Sequence, residues 1–125
     1  GEYKGVAGTF CWNELMTEDV ARSLAFYQAS AGFTDAPMDM GPMGTYHVLE
    51  SAGQGRAGVM KAPMPGIPQL WMPYVQVDDA DQTVARAQRL GTDVKQPCND
   101  VPGVGRLAIF TDPLGCGVGV LQPAR

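Results

Sequence analysis

Glu14 lies in the stretch FCWNELMT, residues 10–17, among apolar neighbours where a carboxylate is costly to bury. A carboxylate so placed has three uses. It pairs with an arginine, for which Arg56 and Arg106 are the candidates; it orients or neutralises a cationic ligand; or it serves as a general base with a raised pKa. The other candidates for proton transfer are Tyr74 and the single histidine, His47, in TYHVLES, where alternation leaves the face of His47 undecided. A His47 facing Glu14 would complete a carboxylate–imidazole pair. Trp12 offers a flat stacking surface beside Glu14, and methionines offer walls that adapt to irregular ligands.

Where these groups point depends on the strands that carry them, because side chains alternate between the two faces. In CWNELMT the two sets are Cys11, Asn13, Leu15 and Trp12, Glu14, Met16. In WMPYVQVD they are Trp71, Pro73, Val75, Val77 and Met72, Tyr74, Gln76. Placing Glu14 beneath a helix would bury an unpaired charge, so Trp12, Glu14 and Met16 are expected to line a cavity. Met72, Tyr74 and Gln76 are expected there too, as the set carrying the polar groups. In the last strand Cys116, Val118 and Val120 are assigned to the helix side, which leaves Gly117 and Gly119 inside with space for a ligand.

Each of these two strands runs into a helix. In DVARSLAFYQASAG, Val20, Leu24, Tyr27 and Ala31 recur at helical spacing and Gly32 stops the helix. In DADQTVARAQRLG, Ala80, Val84, Ala87 and Leu90 do the same before Gly91. Strands are expected near 33–40, 45–50 and 56–61, then near 93–97, 105–111 and 116–121. The order β-α-β-β-β thus occurs twice at an offset of 59 or 60 residues, pairing Thr17 with Val77 and Gly32 with Gly91. One such unit is too small to bury both faces of its sheet, which favours two packed together. The expectation is an α+β chain, 1–125, made of module 9–62 and module 70–123 joined by a Pro-rich linker, 62–69.

That module order, the segment WNELMTEDVARSLAFYQASAGF and above all DVPGVGRLAIFTDPLGCGVGVLQP resemble the vicinal-oxygen-chelate superfamily. This is the group of glyoxalase I, the bleomycin-resistance proteins and the extradiol dioxygenases. The resemblance covers about Thr9 to Pro123 and implies a curved, mostly antiparallel sheet around a cavity. Its most specific piece is the F-x-D-P-x-G turn, where Asp112-Pro113-Leu114-Gly115 places turn residues at turn positions. Metal-using members take ligands from the first and last strand of each module. Carried onto this chain, those positions are Trp12, Met60, Met72 and Gly119, none of them an imidazole or carboxylate donor.

No metal and no cofactor is therefore expected. The expected ligand-binding set is Trp12, Glu14, Met16, Met60, Met72, Tyr74, Gln76, Gly117 and Gly119. Its profile suits a metal-independent binding protein for an aromatic or cationic small molecule, as the resistance members of the family would imply. The alternative is a metal-free lyase or isomerase with Glu14 as base, helped by Tyr74 or His47. A metal-dependent glyoxalase or dioxygenase is the least favoured reading, and a domain kept for association with a partner chain is a further one.

Composition narrows the setting. A net charge of −4 and a pI near 4.7 argue against nucleic acid. No apolar run approaches the roughly 20 residues of a membrane span, and no signal peptide is read. Cys11, Cys98 and Cys116, an odd number without C-x-x-C spacing, read as buried free thiols in a reducing, cytoplasmic compartment. The chain opens Gly-Glu-Tyr-Lys, which reads as a trimmed or engineered end. The resemblance also implies a homodimer; light scattering is expected to return twice the chain mass of 13.3 kDa, and a monomer mass would contradict it.

Overall fold

The computed structural model describes residues 5–62 and 68–124, with Met43 described by its backbone alone. Residues 1–4, and residues 63–67 of the expected linker, lie outside the described residues. In chain order the elements are β1 (Phe10–Thr17), α1 (Val20–Ala31), β2 (Thr34–Asp39), a short 3-10 turn (Gly41–Met43), β3 (Thr45–Ser51) and β4 (Gln54–Lys61). They continue with β5 (Leu70–Gln76), α2 (Ala80–Arg89), β6 (Val94–Val101), β7 (Gly105–Thr111) and β8 (Gly117–Pro123). The βαβββ order is present twice, and the fold class is α+β.

The chain divides into two compact units, one from Trp12 to Met72 and one from the residues up to Cys11 together with those from Pro73 onward. In the first, the strands lie in the order β2, β3, β4, β1, antiparallel except for the parallel pair β1–β4. The second repeats this as β6, β7, β8, β5, with β5–β8 parallel. A parallel pair needs a long crossover between its two strands, and here a helix and a hairpin supply it.

Each helix covers one face of its own strands. Asp19 caps α1 by accepting from the Arg22 amide at 3.0 Å, and Gly32 ends it with φ 76°. Leu24 of α1 packs on Leu15, Leu49, Ala57 and Val59, flanked by Val20, Tyr27 and Phe33. Asp79 caps α2 through the Gln82 amide at 3.0 Å, and Val84 packs on Ala108 and Val120. Leu90, expected in that apolar stripe, is instead 80% exposed. The helix ends at Arg89, and Leu90 is turned out as its C-cap, its amide bonded back to the Arg86 and Ala87 carbonyls.

Two strand limits also differ from expectation. Strand β4 begins at Gln54, because Ala52 and Gly53 close a two-residue hairpin with φ 51° and 74° between the paired residues Ser51 and Gln54. Positive φ at both positions matches the natural twist of paired strands. Strand β6 continues past Pro97 to Val101, since register shifts flanking Gln96 let this outer strand absorb the proline.

The Asp112 turn is closed by its own carboxylate, which accepts from the Leu114 and Cys116 amides, both at 2.9 Å. These backbone bonds hold the Asp112 carboxyl below its usual pKa. A depressed folded pKa contributes stability that is present above the ordinary carboxylate range and lost as pH falls through the folded value. Thermal unfolding should therefore show Asp112→Ala below wild type at neutral pH, with the two converging in acid; a constant gap would contradict this. Urea denaturation provides a second check. Leu49, with no exposure, should lose about 2–5 kcal/mol on Leu49→Ala, whereas Leu90→Ala should stay within about 0.5 kcal/mol.

Candidate functional site

The inner face of the first unit is organised by a chain of three side chains. The Trp12 indole N–H donates to the Tyr46 hydroxyl at 3.0 Å, and that hydroxyl donates to Glu14 Oε2 at 2.8 Å. Glu14 is only 7% exposed, whereas Trp12 and Tyr46 are half-buried. The register explains the meeting. Glu14 of β1 pairs with Gly58 of β4, Gly58 pairs with Val48 of β3, and Tyr46 stands two residues before Val48 on the same face. Met16 pairs with Met60 on this side, Met16 buried and Met60 half-buried. The Trp12 ring also lies over Gly55, within ordinary contact of where a side chain there would begin.

Leu15 turns to the helix side, as alternation requires, and Asn13 is exposed, so no buried amide is left to satisfy. His47 is on the helix side as well, paired in register with the fully buried Val59. Its Nδ1 meets both oxygens of Asp35, at 2.9 and 3.0 Å. The expected His47–Glu14 alternative is thereby corrected: the two side chains leave the sheet on opposite faces. The expected arginine partners are corrected too. Arg56 donates to the carbonyl and hydroxyl of Ser51, and Arg106 forks onto Asp81 at 2.9 and 3.0 Å while reaching Asp100 at 3.1 Å. Arg106 holds the Asp81 carboxyl below its usual pKa.

In the second unit, Tyr74 is 2% exposed and pairs in register with Gly119. A side chain at Gly119 would begin 2.7 Å from the Tyr74 ring, so the space expected for a ligand at Gly119 is filled by that ring. Gly117 is exposed at the start of β8. Gln76 is 7% exposed; its amide N–H donates to the Gly5 carbonyl at 2.9 Å, while its Oε1 is buried with no partner among the described residues. The Gln76 backbone is bonded to Gly8 and Thr9, so this residue pins the segment that leads into β1. Met72 of the first unit is buried at 6% exposure.

The thiols depart from expectation. Cys11 and Cys98 are half-buried and Cys116 is exposed, all three unbridged. Burial raises the Cys11 pKa, and its Sγ lies 3.4 Å from the Tyr74 carbonyl.

The positions at which the resemblance implies metal ligands hold an indole, two thioethers and a glycine covered by Tyr74. That donor set does not fit a divalent metal served by imidazole or carboxylate. A cleft of about 550 Å³ lies elsewhere in the first unit, where Phe26, Tyr27, Arg22 and Gln69 flank the start of α1. It is open, and one polar group of its wall is bonded internally: Gln69 Oε1 accepts from the Thr17 hydroxyl and the Glu18 amide, both at 3.1 Å. The candidate site is the Trp12–Glu14 face, where an indole, a hydroxyl and a carboxylate are linked. Among the described residues no helix is long and apolar enough to cross a membrane.

A sequence profile of the Glyoxalase/Bleomycin resistance protein/Dioxygenase superfamily matches residues 9–120. CFP32 of Mycobacterium bovis and Mycobacterium tuberculosis, provisionally named a glyoxylase, is 43% identical over 117 residues, covering 94% of this chain and 45% of the relative. DauV of a Streptomyces species, named an anthracycline biosynthesis protein, is 35% identical over 127 residues, covering 97% of this chain and 44% of the relative. The chain thus spans less than half the length of these curated relatives. Methylmalonyl-CoA epimerase from Mycobacterium tuberculosis shares the fold with a TM-score of 0.66 at 13% identity, covering 98% of this chain and 94% of that one. With the profile match spanning nearly the whole chain and the βαβββ order repeated along it, this chain belongs to the Glyoxalase/Bleomycin resistance protein/Dioxygenase superfamily.

Proposed function

We propose that the chain is a metal-independent small-molecule-binding protein whose first unit receives a planar aromatic, preferably cationic, ligand against Trp12. The observation that carries this reading is the hydrogen-bond chain from the Trp12 indole through the Tyr46 hydroxyl to Glu14. It fixes the tilt of an accessible aromatic face and sets a carboxylate close behind it, a combination suited to stacking and cation recognition. Met16 and Met60 provide a deformable wall on the same face. Tyr74 and Gly119 are read as packing of the second unit, and Gln76 as the anchor of the segment before β1. Unbridged thiols are consistent with a reducing, cytoplasmic setting. DauV's name places that relative in the synthesis of aromatic compounds, which agrees with an aromatic ligand.

A second reading is favoured by one bond. The Tyr46 hydroxyl donating to Glu14 is an acid–base contact, so a metal-free lyase or isomerase with Glu14 as general base uses the same residues. CFP32's provisional name belongs to this side of the choice.

Calorimetric titration with proflavine, a planar aromatic cation, and acridine, its uncharged counterpart at neutral pH, tests the binding reading. Wild type should bind both and prefer proflavine. Trp12→Ala should weaken both roughly tenfold to a hundredfold, from about 1.5–3 kcal/mol of lost aromatic burial. Glu14→Gln should abolish the preference while leaving acridine bound. Unchanged affinities in both variants would remove the ligand from this face.

A further inference from the structure

Gly58 is the middle residue of the face that carries the Trp12–Tyr46–Glu14 chain, between Glu14 of β1 and Val48 of β3. Its backbone does not ask for glycine: it is absent from the residues with positive φ. A mid-strand glycine is also a cost, since it loses more freedom on folding than any other residue. The reason for it lies in the ring above. A Cβ at Gly58 would collide with the hydroxyl oxygen and Cζ of Tyr46. Tyr46 rises from β3 and must pass over β4 to reach the Glu14 carboxylate on β1. The glycine is the gap through which it passes.

We infer that Gly58 is a positioning residue: by omitting its side chain it lets the Tyr46 hydroxyl lie between Trp12 and Glu14, and so sets the geometry of the binding face. Any Cβ at this position pushes Tyr46 off the sheet, breaking its bond to Glu14 and releasing the Trp12 indole. The three atoms nearest to a side chain at Gly58 all belong to Tyr46. The effect of a substitution there is therefore conditional on Tyr46. The second unit supplies a contrast. Gly119, which pairs with Tyr74 as Gly58 pairs with Glu14, is covered by the ring of Tyr74 itself rather than by a residue reaching across from another strand. A glycine under a tyrosine recurs, and in the first unit that tyrosine delivers its hydroxyl to a carboxylate.

The positioning role is tested without a ligand by the indole N–H resonances of nitrogen-labelled protein, Trp12 and Trp71 giving one each. Gly58→Ala should move the Trp12 signal as Tyr46→Phe does and leave the Trp71 signal in place. Gly58→Ala should lower Tm in the wild-type background and not lower it in Tyr46→Ala, where the collision is gone. If Gly58→Ala alone fails to fold, its rescue in the Tyr46→Ala background is the expected result. A Trp12 signal unmoved by Gly58→Ala, or an equal loss of Tm or of folding in both backgrounds, overturns the inference. Its consequence for the site rests on the binding reading: proflavine affinity should fall at least fivefold in Gly58→Ala, matching Tyr46→Phe. Proflavine that ignores both variants overturns that consequence and the binding reading, while the indole signal still decides the positioning role.

Discussion

A carboxylate held at 7% exposure within a strand is the constraint on which the rest of this site depends. Removing Glu14 from water costs several kcal/mol unless donors replace the lost solvent. Tyr46 is such a donor, and it comes from β3, with β4 lying between it and the carboxylate. The bond therefore makes a demand on a third strand, where Gly58 must stay small. It also fixes Trp12, whose indole N–H is satisfied by the same hydroxyl. One buried carboxyl group thus couples choices at four positions on three strands, and leaves a half-buried aromatic face in a defined orientation. A hydrogen bond that satisfies a buried acceptor is costly to break, which suits a role in holding geometry.

The two units show how far one backbone plan can diverge in chemistry. Glu14 and Tyr74 occupy corresponding places, each on the first strand of its unit and each paired in parallel with a glycine of the last. In the first unit the result is a polar chain that includes a carboxylate. In the second it is an aromatic ring lying on Gly119. Membership of the superfamily accounts for the strand order and the parallel closing pair, and leaves the chemistry of each inner face to its own residues.

Much of the scaffold was legible in the sequence because its signals are local. Asp19 and Asp79 are short acidic caps ahead of helical repeats, and Asp112-Pro113-Leu114-Gly115 carries its own turn chemistry. What escaped depends on contacts between distant segments. TYHVLES alternates ambiguously and does not single out Tyr46. Leu49 held the clue: as an apolar core residue it takes His47 with it to the helix side and leaves Tyr46 on the other. Gly58 in mid-strand was the matching signal, a small residue where a large neighbour needs room. Gly119 looked like empty volume for the same reason, since a glycine does not reveal which ring covers it. The arginines could not be assigned, because Arg106 is set by the register of β6 against β7 and by the approach of α2. Leu90 fits the helical repeat, but the helix ends one residue before it.

The measurement closest to the central claim is a chemical-shift map of labelled protein titrated with proflavine. The account predicts that the perturbed signals centre on the Trp12 indole and on the amides of Glu14, Tyr46 and Gly58. Perturbations confined to Arg22, Phe26, Tyr27 and Gln69, around the cleft beside α1, would contradict it and place the ligand on the opposite side of the first unit's strands.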